Sequence, residues 1–297
     1  MTWRRLARHP LGRLGSALLA ALAVLALGAP WLAPYEPAAP SGRPFEPPGP
    51  AHLLGTDDVG QDILSELIVG TRVSLLIGTL AAGVAVVIGT GVGVVAGFLR
   101  GPADAALMRL TDVVLVMPFL PLVVLLAAYL GHSLGTLIAV IGLLFWARPA
   151  RVIRAQARSL AEREYVLAAR ALGAGDARII GRHILPGVLS LAAAQFVLAV
   201  SAAILLEAAL SFLGLGDPTA KSWGTLLFYA QARNAFLGGT WLWWVIPPGL
   251  LIAAASLGFA LVGLALEEAL DPRLRGRRGG GGPASPGGRP GAAATGP

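Results

Sequence analysis

Few side chains in this sequence are placed to do chemistry, and each carries a plain alternative. Glu207 stands late in an apolar run, where an ionised carboxylate is expensive, so it is a candidate intramembrane polar site. Close to the outer interface that cost falls steeply, and capping or structural pairing there is the reading taken for it. His132 and Ser133 adjoin in "GHSLG", but a nucleophile and its base rarely reach each other as neighbours in a turn. The pair reads as a surface turn. His183 would suggest a metal ligand were it not one of four scattered histidines in a chain without cysteine; no metal site is expected. Asp57, Asp58, Asp62 and Glu66 precede an apolar run and could attract cations or a basic partner. Their plainer reading is a solvated loop and helix start, with Thr56 or Asp57 as the N-cap. Lys221 is the only lysine, and "DPTAKS" lacks the glycine-rich loop that would hold nucleotide phosphates. No nucleotide site of that kind and no catalytic residue is expected.

The elements that would position these residues are set by composition. Of 297 residues 56% are hydrophobic and 13% charged, and several uncharged runs reach about 20 residues, the length that crosses a bilayer as a helix. β-Barrels need short alternating segments, whereas these runs are continuous. The expected class is an all-α membrane protein lying in a lipid bilayer. The formal charge of +7 arises from arginines beside the apolar runs, where they set orientation, and no nucleic-acid partner is expected.

Six spans are expected. Residues 1–71 supply an anchor helix at about 14–34 and an external segment. An uncleaved anchor is preferred to a signal peptide because the apolar stretch is long and Pro30 would follow the cut. Residues 72–271 carry helices at about 73–99, 113–130, 134–147, 187–210 and 241–266, with a cytoplasmic loop at 148–186. Pro118 and Pro121 should kink the third span, and "GHSLG" should turn the chain into the fourth. Gly89, Gly93 and Gly97 continue a small-residue face in the second span, suited to close helix packing. Eight arginines face three acids between Arg148 and Pro186, while six acids face Arg43 between Tyr35 and Thr71, so both termini should be cytoplasmic. Residues 272–297 read as a disordered basic tail.

Within the cytoplasmic loop, Tyr165, Ala168, Ala169 and Leu172 give a short helix one apolar face, and Gly173 and Gly175 end it. Asp176 is a plausible N-cap for a second short helix, and Pro186 should stop or bend the chain before the fifth span. Two short helices at an angle form a knob, a shape for docking. A loop that only held topology would need its arginines but not this pattern.

This stretch resembles the "EAA" loop of ATP-binding-cassette importer permeases, through Ala168, Ala169, Gly173, Leu185 and Pro186. Leu167 stands where the family carries its acidic residue, and Glu164 lies one turn earlier. "HPLG" at His9, "HLLGTDDVGQDILSELIVGTRVSLLIG" at His52, "EAALSFLGLG" at Glu207, "SWGTLL" at Ser222 and "ALDPRLRG" at Ala269 look like the second permease subunit of dipeptide, oligopeptide and nickel importers. Gln61 replaces an arginine usual in that family.

The resemblance implies a type I importer permease fold in a bacterial or archaeal inner membrane. It implies a homologous second permease, two ATPase subunits carrying ATP and Mg, and an external solute-binding protein, with no cofactor in this subunit. The coupling helix would include Glu164, Tyr165, Leu167, Ala168, Ala169, Leu172 and Gly173, with Leu185 and Pro186 closing the motif. Peptides are the expected cargo; nickel, another metal chelate or a sugar are the alternatives. A self-sufficient transporter or channel should show paired intramembrane charges or broken half-helices. Apart from Glu207, the spans lack charges.

Overall fold

The computed structural model describes residues 9–236 and 239–270, so the basic residues before His9 and the expected tail at 272–297 lie outside the described residues. Helix α1, Pro10–Leu32, starts with proline where no amide partner is needed. It packs through Gly15, where a Cβ would lie 2.8 Å from the Gly258 carbonyl.

Helix α2, Ile63–Leu99, has 37 residues and is therefore about 55 Å long, well beyond the roughly 30 Å of a hydrocarbon layer. Its N-cap is Asp62, which accepts the Ser65 amide at 2.8 Å, rather than Thr56 or Asp57. The helix starts ten residues before the expected Val73. Glu66 and Arg72 break the apolar pattern there, but Glu66 is buried within the protein and ion-paired with Lys221.

Each of the next two spans is bent. Helices α3, Gly101–Val116, and α4, Phe119–Leu130, meet at 87°, and α5, Leu134–Phe145, and α6, Ala147–Ala161, meet at 43°. Pro118 lies at the first break, while Pro121 falls in the first turn of α4, where its missing N–H costs nothing. Helix α6 corrects the expected loop at 148–186, whose first third is helical and packed along α2. Ala147, Ala150, Ile153, Ala157 and Ala161 make its buried stripe. Its arginines lie off that stripe, and Arg154 Nη2 donates to Asp104 at 2.6 Å.

Helix α7, Glu164–Ala171, leads through Gly173 to α8, Asp176–Ile179, then a wide π turn at Ile180–Ile184 and α9, Leu185–Leu210. Gly175, rather than Asp176, is the N-cap of α8. Pro186 does not stop the chain, because it occupies the first turn of α9 within a continuous helical stretch from Asp176 to Leu215. Helix α10, Trp223–Ala232, starts with a capping box of Ser222 and Thr225. The chain ends its described course in α11, Trp241–Trp244, and α12, Ile246–Leu270. Four stretches are long and apolar enough to cross a membrane, and six crossings result when each bent pair is one span.

At one end of the bundle Asp57, Asp62 and Glu66, expected in a solvated loop, are buried, while Asp58 is half-buried and lies 2.8 Å from Arg233 Nε. His52 Nδ1 lies 2.9 Å from Asp62 Oδ1, with the two side chains 4% and 1% exposed. Asp57 accepts the Val59 and Gln61 amides at 3.0 and 2.7 Å. Burial pushes its carboxyl above the usual range, against the lowering effect of those amides. Lys221 Nζ donates to Gln61 Oε1 at 2.8 Å as well as to Glu66, so Gln61 takes part in this cluster without a charge.

Candidate docking loop and intramembrane sites

The hairpin of α7 and α8 is held from beneath by few residues. Val166, Ile179 and Ile184 are fully buried against Phe98, Ile153, Ala157 and Ala161. Arg170 lies over the Phe98 ring at 5.2 Å and reaches Asp176 at 3.6 Å. Gly173 has φ +83°, a backbone that a side chain would strain, and this turns α7 into α8.

Of the apolar face predicted from spacing, Tyr165, Ala168 and Leu172 point the other way, and Leu167 is exposed beside them. Tyr165, Leu167 and Leu172 are 48, 51 and 88% exposed, and Ala168 and Gly173 are exposed beside them. Ala169 is half-buried, and Glu164 sits exposed in the first turn of α7. Leu185 and Pro186 are also exposed, at the start of α9 rather than on the hairpin. The Tyr165 ring lies 5.8 Å from that of His183. Leu167 shares a cleft with Arg100, Glu162, Arg170 and Asp176. Those arginines already have carboxylates, since Arg100 donates to Glu162 at 2.7 Å and Arg170 pairs with Asp176.

Gly89, Gly93 and Gly97 face α6. A Cβ on them would meet the carbonyl oxygens of Trp146, Ala150 and Arg154 at 2.7, 2.6 and 2.6 Å, so one row of glycines lies against one row of backbone. Bare backbone contact of this kind is what small residues permit between helices in lipid.

Glu207 is fully buried among the helices of the protein. Its Oε1 accepts from the Ser211 hydroxyl at 2.8 Å and its Oε2 from that of Ser74 at 3.4 Å. Ser74 Oγ in turn accepts the Trp223 amide at 3.1 Å, so the carboxylate joins α2, α9 and α10. A Glu207→Leu change strands these hydroxyls and should destabilise the protein by about 2 kcal/mol, with Glu207→Gln costing less. Thermal unfolding of detergent-solubilised protein measures the difference, and equal melting of all three forms would refute the structural role. Ser133 caps α5 by accepting the Thr136 amide at 3.1 Å, and His132 is exposed beside it. Among the described residues, no group of three or more His, Asp or Glu is gathered for a metal.

The sequence reading missed the Lys221, Glu66 and Gln61 cluster and the His52 and Asp62 pair. Only three-dimensional proximity joins Lys221 to residues more than 150 positions away. Helix α6 did leave a signal in its alanine and isoleucine spacing.

A family described as binding-protein-dependent transport system inner membrane component matches residues 89–276. A second, described as the N-terminal TM domain of oligopeptide transport permease C, matches residues 1–48. The chain is 40% identical to a di/tripeptide transport system permease protein of Pseudomonas aeruginosa, over 92% of this chain and 91% of that one. It is 36% identical to a dipeptide transport system permease protein of Bacillus subtilis, over 92% and 85%. An oligopeptide transport system permease protein of the same organism is 35% identical over 91% and 88%.

Proposed function

The chain belongs to the binding-protein-dependent transport system inner membrane components, and on that premise we propose that it forms half of the translocation pathway of an ATP-driven peptide importer. The peptide cargo named for several relatives supports peptides over nickel, other metal chelates or sugars. The pathway is completed by a homologous second permease. ATP and Mg are held by two separate ATPase subunits, so hydrolysis is not a task of this chain. Both termini and the hairpin of α7 and α8 face the cytoplasm, in keeping with the arginine-rich balance of that side. The opposite end, with the buried acids and α10, faces the external binding protein.

The observation that carries the coupling role is the hairpin itself: anchored by Val166, Ile179 and Ile184, yet presenting Tyr165 and Leu172 to solvent. A rigid knob with an apolar tip suits a socket on another subunit, and drawing two such knobs together would rock the permeases between inward and outward access. The broken span of α3 and α4 would also suit a self-sufficient transporter, and family membership decides against that.

The test is ATP-dependent uptake of a labelled dipeptide by proteoliposomes holding both permeases, both ATPases and the loaded binding protein. Uptake that stops without ATP is expected. Uptake independent of ATP would sink the importer reading, and uptake of a nickel chelate or sugar in place of peptide would move the substrate.

A further inference from the structure

Beyond Leu32, where α1 ends, residues 33–62 contain no helix, yet their backbone is fixed at many points. The Phe45 amide donates to the Asp57 carbonyl at 2.9 Å and the Thr56 amide to that of Glu46 at 3.0 Å. The Ser41 and Gly42 amides donate to the Gly60 carbonyl at 2.8 and 3.0 Å. Side chains add to this, since Gln61 Nε2 donates to the Ala38 carbonyl and the Tyr35 hydroxyl to that of Ala51, both at 2.9 Å. Gly55 and Gly60 let the two sides of the loop close up: a Cβ on them would lie 2.3 Å from the Glu46 carbonyl oxygen and 2.4 Å from that of Gly42. The segment is a platform built by its own hydrogen bonds.

Phe45 is held on that platform against its own preference. Its φ is +56°, a left-handed backbone that glycine or asparagine enters easily and a bulky residue does not. Such strain persists only where the surroundings enforce it, and it gathers at functional sites. The ring gains only partial burial in return, because it meets the Trp244 ring edge-on at 6.2 Å and remains 43% exposed. Leu53 and Val59, on the same platform, are 65 and 49% exposed. Single exposed apolar residues need no explanation, but here a strained backbone presents one of them. Trp31, exposed in the last turn of α1, is of the type that marks the lipid boundary, and the platform begins two residues beyond it, on the aqueous side.

We propose that Phe45, with Leu53 and Val59 on the same platform, is the surface that receives the external solute-binding protein. The proposal rests on the reading of the chain as an importer subunit whose outer end is this one. An aromatic ring covers much area with few rotatable bonds, and a platform fixed beforehand loses little freedom when a partner arrives. Glu36 and Arg43 are exposed on the same segment, which suits the polar rim of a transient protein interface better than an acyl layer. A few apolar anchors in polar surroundings also suit a partner that must dock and leave in every cycle.

The test measures ATP hydrolysis by the complete importer in nanodiscs against the concentration of its binding protein loaded with a dipeptide. The concentration giving half-maximal stimulation is expected to rise about tenfold or more in Phe45→Gly, and by a similar factor in Leu53→Asp combined with Val59→Asp. Thermal unfolding of the Phe45→Gly permease should stay close to wild type, because relief of the left-handed strain offsets the lost contact with Trp244. Lower melting with an unchanged half-maximal concentration would make Phe45 a packing residue and overturn the proposal. An unchanged value in the double variant would do the same, and that variant alters only exposed side chains, so it reports even if Phe45→Gly fails to fold. Loss of the second permease on purification of the double variant would assign the surface to the subunit interface and overturn the proposal too. No stimulation of wild type by the loaded binding protein would overturn the importer reading and this proposal with it, whereas wild-type stimulation that neither variant shifts overturns this proposal alone.

Discussion

Gly93→Leu is expected to leave almost no folded permease in the membrane, whereas Gly91→Leu, two residues earlier in α2, should accumulate normally. A Cβ at Gly93 would lie 2.6 Å from the Ala150 carbonyl oxygen, 2.9 Å from the Arg154 amide and 2.9 Å from the Ile153 Cβ. Two of those three atoms are backbone, so no rotamer change makes room, and α2 and α6 must separate along their whole contact. Overpacking against mobile side chains costs about 1 to 3 kcal/mol, and against a rigid helix the cost should reach about 4 kcal/mol or more. That approaches the whole stability of a typical domain, about 5 to 15 kcal/mol. At Gly91 nothing lies within 4 Å, so a side chain there meets open space. Size-exclusion profiles of detergent extracts read the result as the fraction of monodisperse permease. A monodisperse Gly93→Leu protein with wild-type melting would show that the two helices do not need this approach.

The same interface shows which parts of the architecture were readable from sequence. The glycine repeat in α2 announces that a helix comes close, because no other need places small residues every fourth position over so many turns. Which helix arrives is hidden, since α6 is studded with Arg148, Arg151, Arg154 and Arg158 and resembles a cytoplasmic loop by charge. Asp104 and Asp112 on α3 pair with two of those arginines, and such pairs form only after the chain has folded. Buried acids at the other end were misread for a related reason: Glu66 looks solvated until Lys221 is brought beside it. Apolar runs report what lipid requires, and they were legible; long-range ion pairs cancel charge in three dimensions and leave no periodic mark. Pro118 was legible as a kink, but the 87° size of the bend was not. For the docking hairpin, spacing gave an apolar face without saying that this face points away from the protein.

That outward face makes the second prediction sharp. Leu172→Asp combined with Tyr165→Ala should abolish co-purification of the ATPase subunits and ATP-driven uptake, while thermal stability of the permease stays within about 0.5 kcal/mol of wild type. Leu172 is 88% exposed, so its replacement removes little internal packing and acts where a partner would sit. Truncating a central apolar anchor of an interface costs about 2 kcal/mol or more, and burying an unpaired carboxylate in the same socket adds to it. At about 1.4 kcal/mol per factor of ten, ATPase affinity should fall on the order of a hundredfold. Removing the whole segment from Glu164 to Pro186 is a poorer test, because it takes away Val166, Ile179 and Ile184, which the core needs. Leu167→Glu is the instructive companion. Arg100 and Arg170, which line the cleft beside position 167, are already engaged by Glu162 and Asp176, so a new acid would have to compete with those carboxylates for them. Substrate-stimulated ATPase activity should change little in that variant if docking is apolar and shape-based, and a large gain would instead assign the acid a polar contact on the ATPase. Unimpaired ATPase binding by the Leu172 and Tyr165 double variant would mean that the knob does not dock through its exposed face.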